Sequence, residues 1–135
     1  MVTKPRHMRQ LRAAESLRLL ASLSVGRIAF TADALPQIRV VNHVVDNGDV
    51  IIRSHVGAAI ISTNRQVVCY EADAVDPETR AGWSVIVTGI AQVIDNPSEI
   101  ARYEGRVEPW LEDVPMDYVI RIRPEIVTGY RIVDE

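Results

Sequence analysis

The sequence has one cysteine, Cys69, so no disulfide can form within the chain. That residue lies between Val68 and Tyr70 in an apolar run and reads as a buried core thiol of a reducing compartment. No stretch approaches the ~18 consecutive apolar residues of a membrane-spanning helix. The basic start is not followed by a signal-type segment either, because Arg18, Ser22 and Ser24 interrupt residues 17–25. These absences indicate a soluble, cytoplasmic protein with no membrane partner. Basic residues gather only at Lys4, Arg6, Arg9, Arg12 and Arg18, which read as a solvated helix face; with a formal net charge of -3, nothing supports a nucleic-acid partner. His7, His43 and His55 are the only histidines, and none is paired at metal-ligand spacing, so no metal site is expected. Internal repeats, low-complexity tracts and linkers are also missing, and 135 residues suit a single domain over 1–135.

What is present is a change of hydrophobic period. Over residues 8–23, Leu11, Ala14, Leu17, Leu20 and Ala21 recur at helical spacing, which predicts one amphipathic helix. Residues 25–31, 37–46 and 50–55 are short, β-branched segments and read as strands, the last two joined by a hairpin at Asn47-Gly48, where both residues tolerate positive φ. Residues 57–63 read as a brief helix, and 66–72 and 83–94 as strands that are apolar on both faces and so need cover on both. Asn96-Pro97-Ser98-Glu99 predicts a helix start with Asn96 as cap, Pro97 in the first turn and Glu99 closing a capping box; Gly105 marks its end. Residues 117–123 and 126–133 read as strand, with Pro124 interrupting the pairing. This order describes a meandering antiparallel barrel with peripheral helices. Asp73, Asp76, Glu78 and Arg80 lack the ligand spacing of a calcium loop and read as a solvated loop, turning at Asp76-Pro77.

The most specific stretch is Gly82-Trp83-Ser84-Val85-Ile86-Val87-Thr88-Gly89, a strand opened and closed by glycine after an acidic loop over 71–80. Together with Val25-Gly26-Arg27-Ile28-Ala29-Phe30 and Val127-Thr128-Gly129-Tyr130-Arg131, it resembles the pyridoxamine 5'-phosphate oxidase-like group of flavin-binding split β-barrels. It looks most like a small actinobacterial-type branch with a GWSV segment and a terminal P-x-x-(V/I)-T-G-x-R, and the likeness spans residues 17–132. The resemblance implies a mainly β fold, an antiparallel split barrel, assembled as a homodimer with a small-molecule ligand at the dimer interface. It also implies a flavin (FMN) or deazaflavin-dependent oxidoreductase acting on a small organic substrate. The cofactor would then supply the redox chemistry while the protein cradles the phosphate and excludes water.

The same resemblance implies the site. Its phosphate-gripping segment, R-T-x-x-G-T-K in relatives, matches Arg53-Ser54-His55-Val56-Gly57-Ala58-Ala59, keeping Arg53, Ser54 and Gly57 but placing Ala58 and Ala59 where relatives have a hydroxyl and a lysine. A second match is Val40, Val41 and Asn42, followed by His43, where relatives read P-V-N-Y beside the flavin ring. Trp83 and Ser84 stand near the flavin edge in relatives and are otherwise a core aromatic and its neighbour. Arg53 is either the remaining phosphate anchor or a solvated strand end. Because a charge-assisted hydrogen bond is worth about 1.5–3 kcal/mol, the lost lysine would weaken a flavin phosphate roughly ten- to a hundredfold. The departures therefore keep open an alternative: a non-catalytic or divergent split barrel that binds haem, a lipid-like ligand or nothing. The chain has no recognisable C-terminal substrate-binding extension, which disfavours pyridoxamine 5'-phosphate itself as substrate.

Two further readings follow from the residues alone. Ser54 and His55 are strand neighbours that point to opposite faces, so they form no nucleophile and base dyad and a hydrolase is rejected. His43 reads as a polar residue on a half-exposed strand in preference to a donor to a flavin carbonyl or a haem ligand.

Overall fold

A computed structural model describes residues 6–55, 57–62, 65–109 and 118–134. Among these the order is β1 (Arg6–Leu11), α1 (Ala13–Ala21), β2 (Val25–Ala32), β3 (Leu35–Asp46), β4 (Asp49–Ser54), α2 (Gly57–Ser62), β5 (Gln66–Val75), β6 (Gly82–Val93), α3 (Pro97–Glu104) and β7 (Tyr118–Asp134). All ladders are antiparallel, as expected for a barrel. The sheet runs β1-β7-β4-β3-β2-β5-β6, and a further β6–β7 pairing closes β7-β4-β3-β2-β5-β6 into a ring. Closure satisfies the backbone donors and acceptors that an open sheet leaves at its edges.

β7 makes the ring possible. One edge pairs with β6 from Gly82↔Ile132 to Val93↔Ile120, while the other is shared between β4, at Val50↔Ile122, and β1, at Leu11↔Gly129. The expected interruption at Pro124 is a bulge: Thr88 faces Ile126 and Gly89 faces Pro124, so Glu125 is left over and the strand continues. A residue without an N–H is tolerated at such a point because no ladder bond is asked of it.

The helix expected over 8–23 is shorter, with β1 before it. Residues 7–10 carry only Met8 as an apolar side chain, and it is exposed, so a helix there would bury no stripe. The free edge of β7 beyond β4 instead offers backbone partners. From Ala13 the helical period holds: Leu20 is buried in the core with Leu17, Leu19 and Leu23 packed against it. α1 also lies hard against β7, since a Cβ on Gly129 would sit 2.0 Å from the Ser16 hydroxyl, a contact only glycine permits. That accounts for the glycine of Val127-Thr128-Gly129-Tyr130-Arg131.

Inside the ring, alternate residues interdigitate in one core that includes Ile28, Val41, Ile52, Tyr70, Val85 and Ile122. Each aliphatic side chain buried in this way contributes about 1.5–3 kcal/mol. The expected hairpin is present, with Asn47 and Gly48 at φ 53° and 81°. The expected helix over 57–63 appears as α2, with Thr63 outside the described residues.

α3 covers part of the outer surface. Asn96 caps it, its Oδ1 accepting from the backbone N–H of Ser98 (3.0 Å) and Glu99 (3.3 Å), and Pro97 opens it as expected. The capping box is not closed: the Glu99 carboxylate takes the Arg121 guanidinium of β7 at 2.5 Å. Tyr103 and Val107 complete a second apolar cluster with Ile51, Ile94 and Val119. Above it the Tyr103 hydroxyl donates to Asp46 at 2.6 Å and, with Arg106 and Arg102, holds that carboxyl below its usual pKa. No helix among the described residues is long and apolar enough to cross a membrane.

Candidate functional site

Strand parity decides what each suggested site residue faces. The β3–β4 ladder ends at His43↔Ile52, one step short of Asn42 beside Arg53. These two residues act together on the end of α3 and the turn that follows it: Asn42 Nδ2 donates to the Glu108 carbonyl at 3.1 Å, and Arg53 Nη1 donates to the carbonyls of Val107 (3.1 Å) and Glu104 (3.4 Å). The Arg53 side chain is only 15% exposed and also faces the Glu104 carboxylate at 3.8 Å. Its guanidinium is therefore not a solvated strand end. Ser54 is buried on the opposite face, and His55 is exposed, in keeping with the rejected dyad.

Gly57 lies under Tyr118, whose ring atoms would be 2.6 Å from a Cβ at that position. Ala59, at the family's lysine position, leans against the barrel core. On β3, Val41 is part of the core and Val40 faces outward. The GWSV stretch divides in the same way: Trp83 packs into the core, whereas Ser84 is on the outer face opposite Asp73. The structure thus brings Asn42 and Arg53 together, and leaves Trp83 and Val41 facing away from Val40 and Ser84.

His43 is not half-exposed; it is 2% exposed and held at both ring nitrogens. A carbonyl can only accept, so the 2.8 Å contact between Nε2 and the Leu20 carbonyl places the proton on Nε2. Nδ1 then accepts from the Tyr70 hydroxyl at 2.5 Å, and the two rings meet edge-on with centroids 5.0 Å apart. Burial pushes the His43 pKa down, although the Leu20 bond opposes it, and pushes the Tyr70 pKa up. A neutral imidazole with both nitrogens engaged neither ligates iron nor reaches a flavin. Sequence spacing did not expose this pair, because its members are 27 residues apart and meet only through the ring.

The outward face of β2, β3, β5, β6 and β7 carries Ile38 (64% exposed), Val40, Val67 (65%), Ile86 and Ile126 (61%). Cys69 belongs to this face. Its neighbours Val68 and Tyr70 point inward, and its thiol lies 3.5 Å from the Thr88 hydroxyl, half-exposed instead of in the core. Asp73, read from sequence with the 73–80 loop, is likewise on the β5 face. Arg27 Nη1 bonds Glu71 at 2.9 Å and approaches Asp73 at 3.6 Å. A groove of about 240 Å³ runs between Arg27, Ala29, Ile38, Cys69, Glu71 and Asp73. The i, i+2 spacing of Glu71 and Asp73 was the available signal for this cluster. Asp76 does form the turn, its Oδ1 accepting from the N–H of Glu78 and Thr79. Among the described residues no group of side chains could hold a metal ion.

Comparison with known proteins agrees with this architecture. The chain is 49% identical over 125 residues to the uncharacterized protein Rv0080 of Mycobacterium tuberculosis, covering 88% of this chain and 82% of that one. A Corynebacterium glutamicum structure provisionally described as a pyridoxamine 5'-phosphate oxidase superposes with a TM-score of 0.79 at 30% identity, covering 96% of this chain and 100% of that one. The FAD binding protein of Mycobacterium smegmatis does so with a TM-score of 0.69 at 34% identity, covering 93% and 98%. The family model described as pyridoxamine 5'-phosphate oxidase matches residues 12–131. With its ring of antiparallel strands, the chain therefore belongs to the pyridoxamine 5'-phosphate oxidase-like family of split β-barrels.

Proposed function

We propose that the protein is a homodimeric flavin-type oxidoreductase that holds its cofactor in the seam between two copies and acts on a small organic substrate. The observation that carries this reading is the bare outward face around Ile38, Val40, Val67, Ile86 and Ile126, in a chain of a family with flavin-binding members. Exposed apolar patches of this kind are uncommon on soluble monomers. A second copy laid on the face would bury it and leave a cleft at its margin near Val40 and Asn42.

The residues present suit a flavin ring better than a terminal phosphate. Val40 offers an apolar outward surface on β3. On the phosphate side, Arg53 is occupied by the carbonyls of residues 104 and 107, and Ala59 leans into the core where relatives place a lysine. A monophosphate gripped by one fewer cation loses roughly ten- to a hundredfold in affinity. This favours a cofactor whose longer tail supplies further contacts, FAD or a deazaflavin, with FMN bound more weakly. The named ligand of the 34%-identical Mycobacterium smegmatis protein supports the same choice.

The test begins with the absorbance spectrum of the freshly purified protein. Cofactor-free protein is then titrated by calorimetry with FMN, FAD and a deazaflavin at one salt concentration. FAD or the deazaflavin should bind at least about tenfold more tightly than FMN. Absence of binding by all three would remove the oxidoreductase reading.

A further inference from the structure

The bare face carries one cluster of opposite charges. Arg27 on β2 stands between Glu71 and Asp73 on β5, so two carboxylates share one guanidinium and the cluster carries one uncompensated negative charge. Its neighbours supply no further charge. Across the ladders these are Val40 on β3 and Ser84 and Ile86 on β6, with Thr128 and Tyr130 of β7 beyond them. Along their own strands they are Val25, Ala29 and Cys69, and Leu23 and Ser24 line the groove leading from α1.

On the reading above, a second copy covers this face. The cluster itself suits a second copy, because one patch presents both a guanidinium and carboxylates and is thus complementary to itself across a two-fold axis. Docking then removes water from a region where carboxylates outnumber guanidiniums, and an excess carboxylate in a drier site is driven toward its neutral form. We propose that docking of the second copy takes up protons at the Glu71–Asp73 pair, so that mild acid tightens the dimer. The free chain already leans this way: burial first, and Asp73 second, push the Glu71 pKa up against the pull of Arg27.

The sign follows from linkage. A carboxyl whose pKa is higher in the dimer than in the monomer stabilises the dimer at low pH, and that contribution is lost as pH rises through the dimer value. Each unit of rise changes the dissociation constant about tenfold per copy.

The experiment is sedimentation equilibrium of the full chain at about pH 5.5 and about pH 8 at constant ionic strength, with circular dichroism verifying the fold at both. Where the dimer persists at the lowest usable concentration, the rate of subunit exchange between labelled copies replaces the dissociation constant. The wild type should dissociate at least about tenfold less readily at the lower pH. Glu71→Gln should flatten this dependence and tighten the dimer at the higher pH, and Asp73→Asn should do the same more weakly. Glu78→Gln, in the turn away from the face, should leave the dependence intact. A dimer equally tight at both pH values, or a dependence that survives Glu71→Gln, overturns proton coupling while leaving the two-copy assembly standing. A monomer at both pH values overturns the assembly and this inference with it.

Discussion

Tyr70→Phe isolates the hydrogen bond at the centre of the barrel. The substitution removes one oxygen and nothing else, but that oxygen donates to His43 Nδ1 in a site where His43 is 2% exposed. Nδ1 is left as a buried acceptor with its donor gone, and such a loss costs about 1–3 kcal/mol. For a domain of this size that corresponds to a fall in Tm of roughly 3–10 °C. Thermal unfolding followed by circular dichroism measures it at fixed protein concentration, because the proposed dimer would make Tm concentration-dependent. The pH profile supplies a second reading. Burial holds His43 neutral below the pH at which an unfolded histidine would charge, so the unfolded chain binds the extra proton first. Stability from this residue is complete above about pH 6.5 and declines as the pH falls toward the depressed folded value, by at most about 1.4 kcal/mol per pH unit. His43→Gln should flatten this decline and lower Tm near neutrality. A Tyr70→Phe protein that melts with the wild type would refute the assigned donor, and an acid slope unchanged in His43→Gln would refute the assigned titration.

Three other substitutions probe other links. Ala34 has φ 62° in the β2–β3 turn, a conformation that costs a residue with a Cβ about 1–2 kcal/mol; Ala34→Gly should therefore raise Tm slightly despite glycine's added chain entropy, and a fall would place the strain elsewhere. Arg53→Ala should lower stability by about 1–2 kcal/mol by releasing the turn carbonyls, while calorimetric affinity for FAD stays within about threefold; unchanged Tm with a tenfold affinity loss would return Arg53 to the phosphate. Ile86→Lys places a charge on the bare face and should convert the proposed dimer to monomer by light scattering, with Tm falling only through that dissociation; a dimer unaffected by it would put the seam on another face.

Strand elements were the most legible part of the fold, because alternation in 66–72 and 83–94 and the Asn47-Gly48 turn are local signals. What failed depended on partners distant in sequence. Residues 8–11 continue the helical spacing of α1, and only the open edge of β7, more than a hundred residues on, makes them a strand. Pro124 signalled a stop, and became a bulge because β6 passes it with one residue fewer. Cys69 was misplaced by composition: an apolar run concealed that its neighbours point inward and it points out. The site was less legible. The family likeness named Asn42 and Arg53, yet the carbonyls they hold belong to the end of α3 and the turn after it, which sequence offered no reason to bring there. Glu71 with Arg27, joined across two strands, was not singled out.

The placement of β7 also sets an order of events. It follows every other described element in the chain, and it supplies partners to β1, β4 and β6. Until it is made, β4 and β6 are the raw edges of a curled sheet, and β1 has no ladder to join. The barrel therefore cannot close progressively as the chain is synthesised; its last strand works as a clasp. Folding that waits on contacts so far apart in sequence is slow, in the millisecond-to-second range typical of non-local β topologies, and it leaves unpaired edges available to neighbouring chains meanwhile.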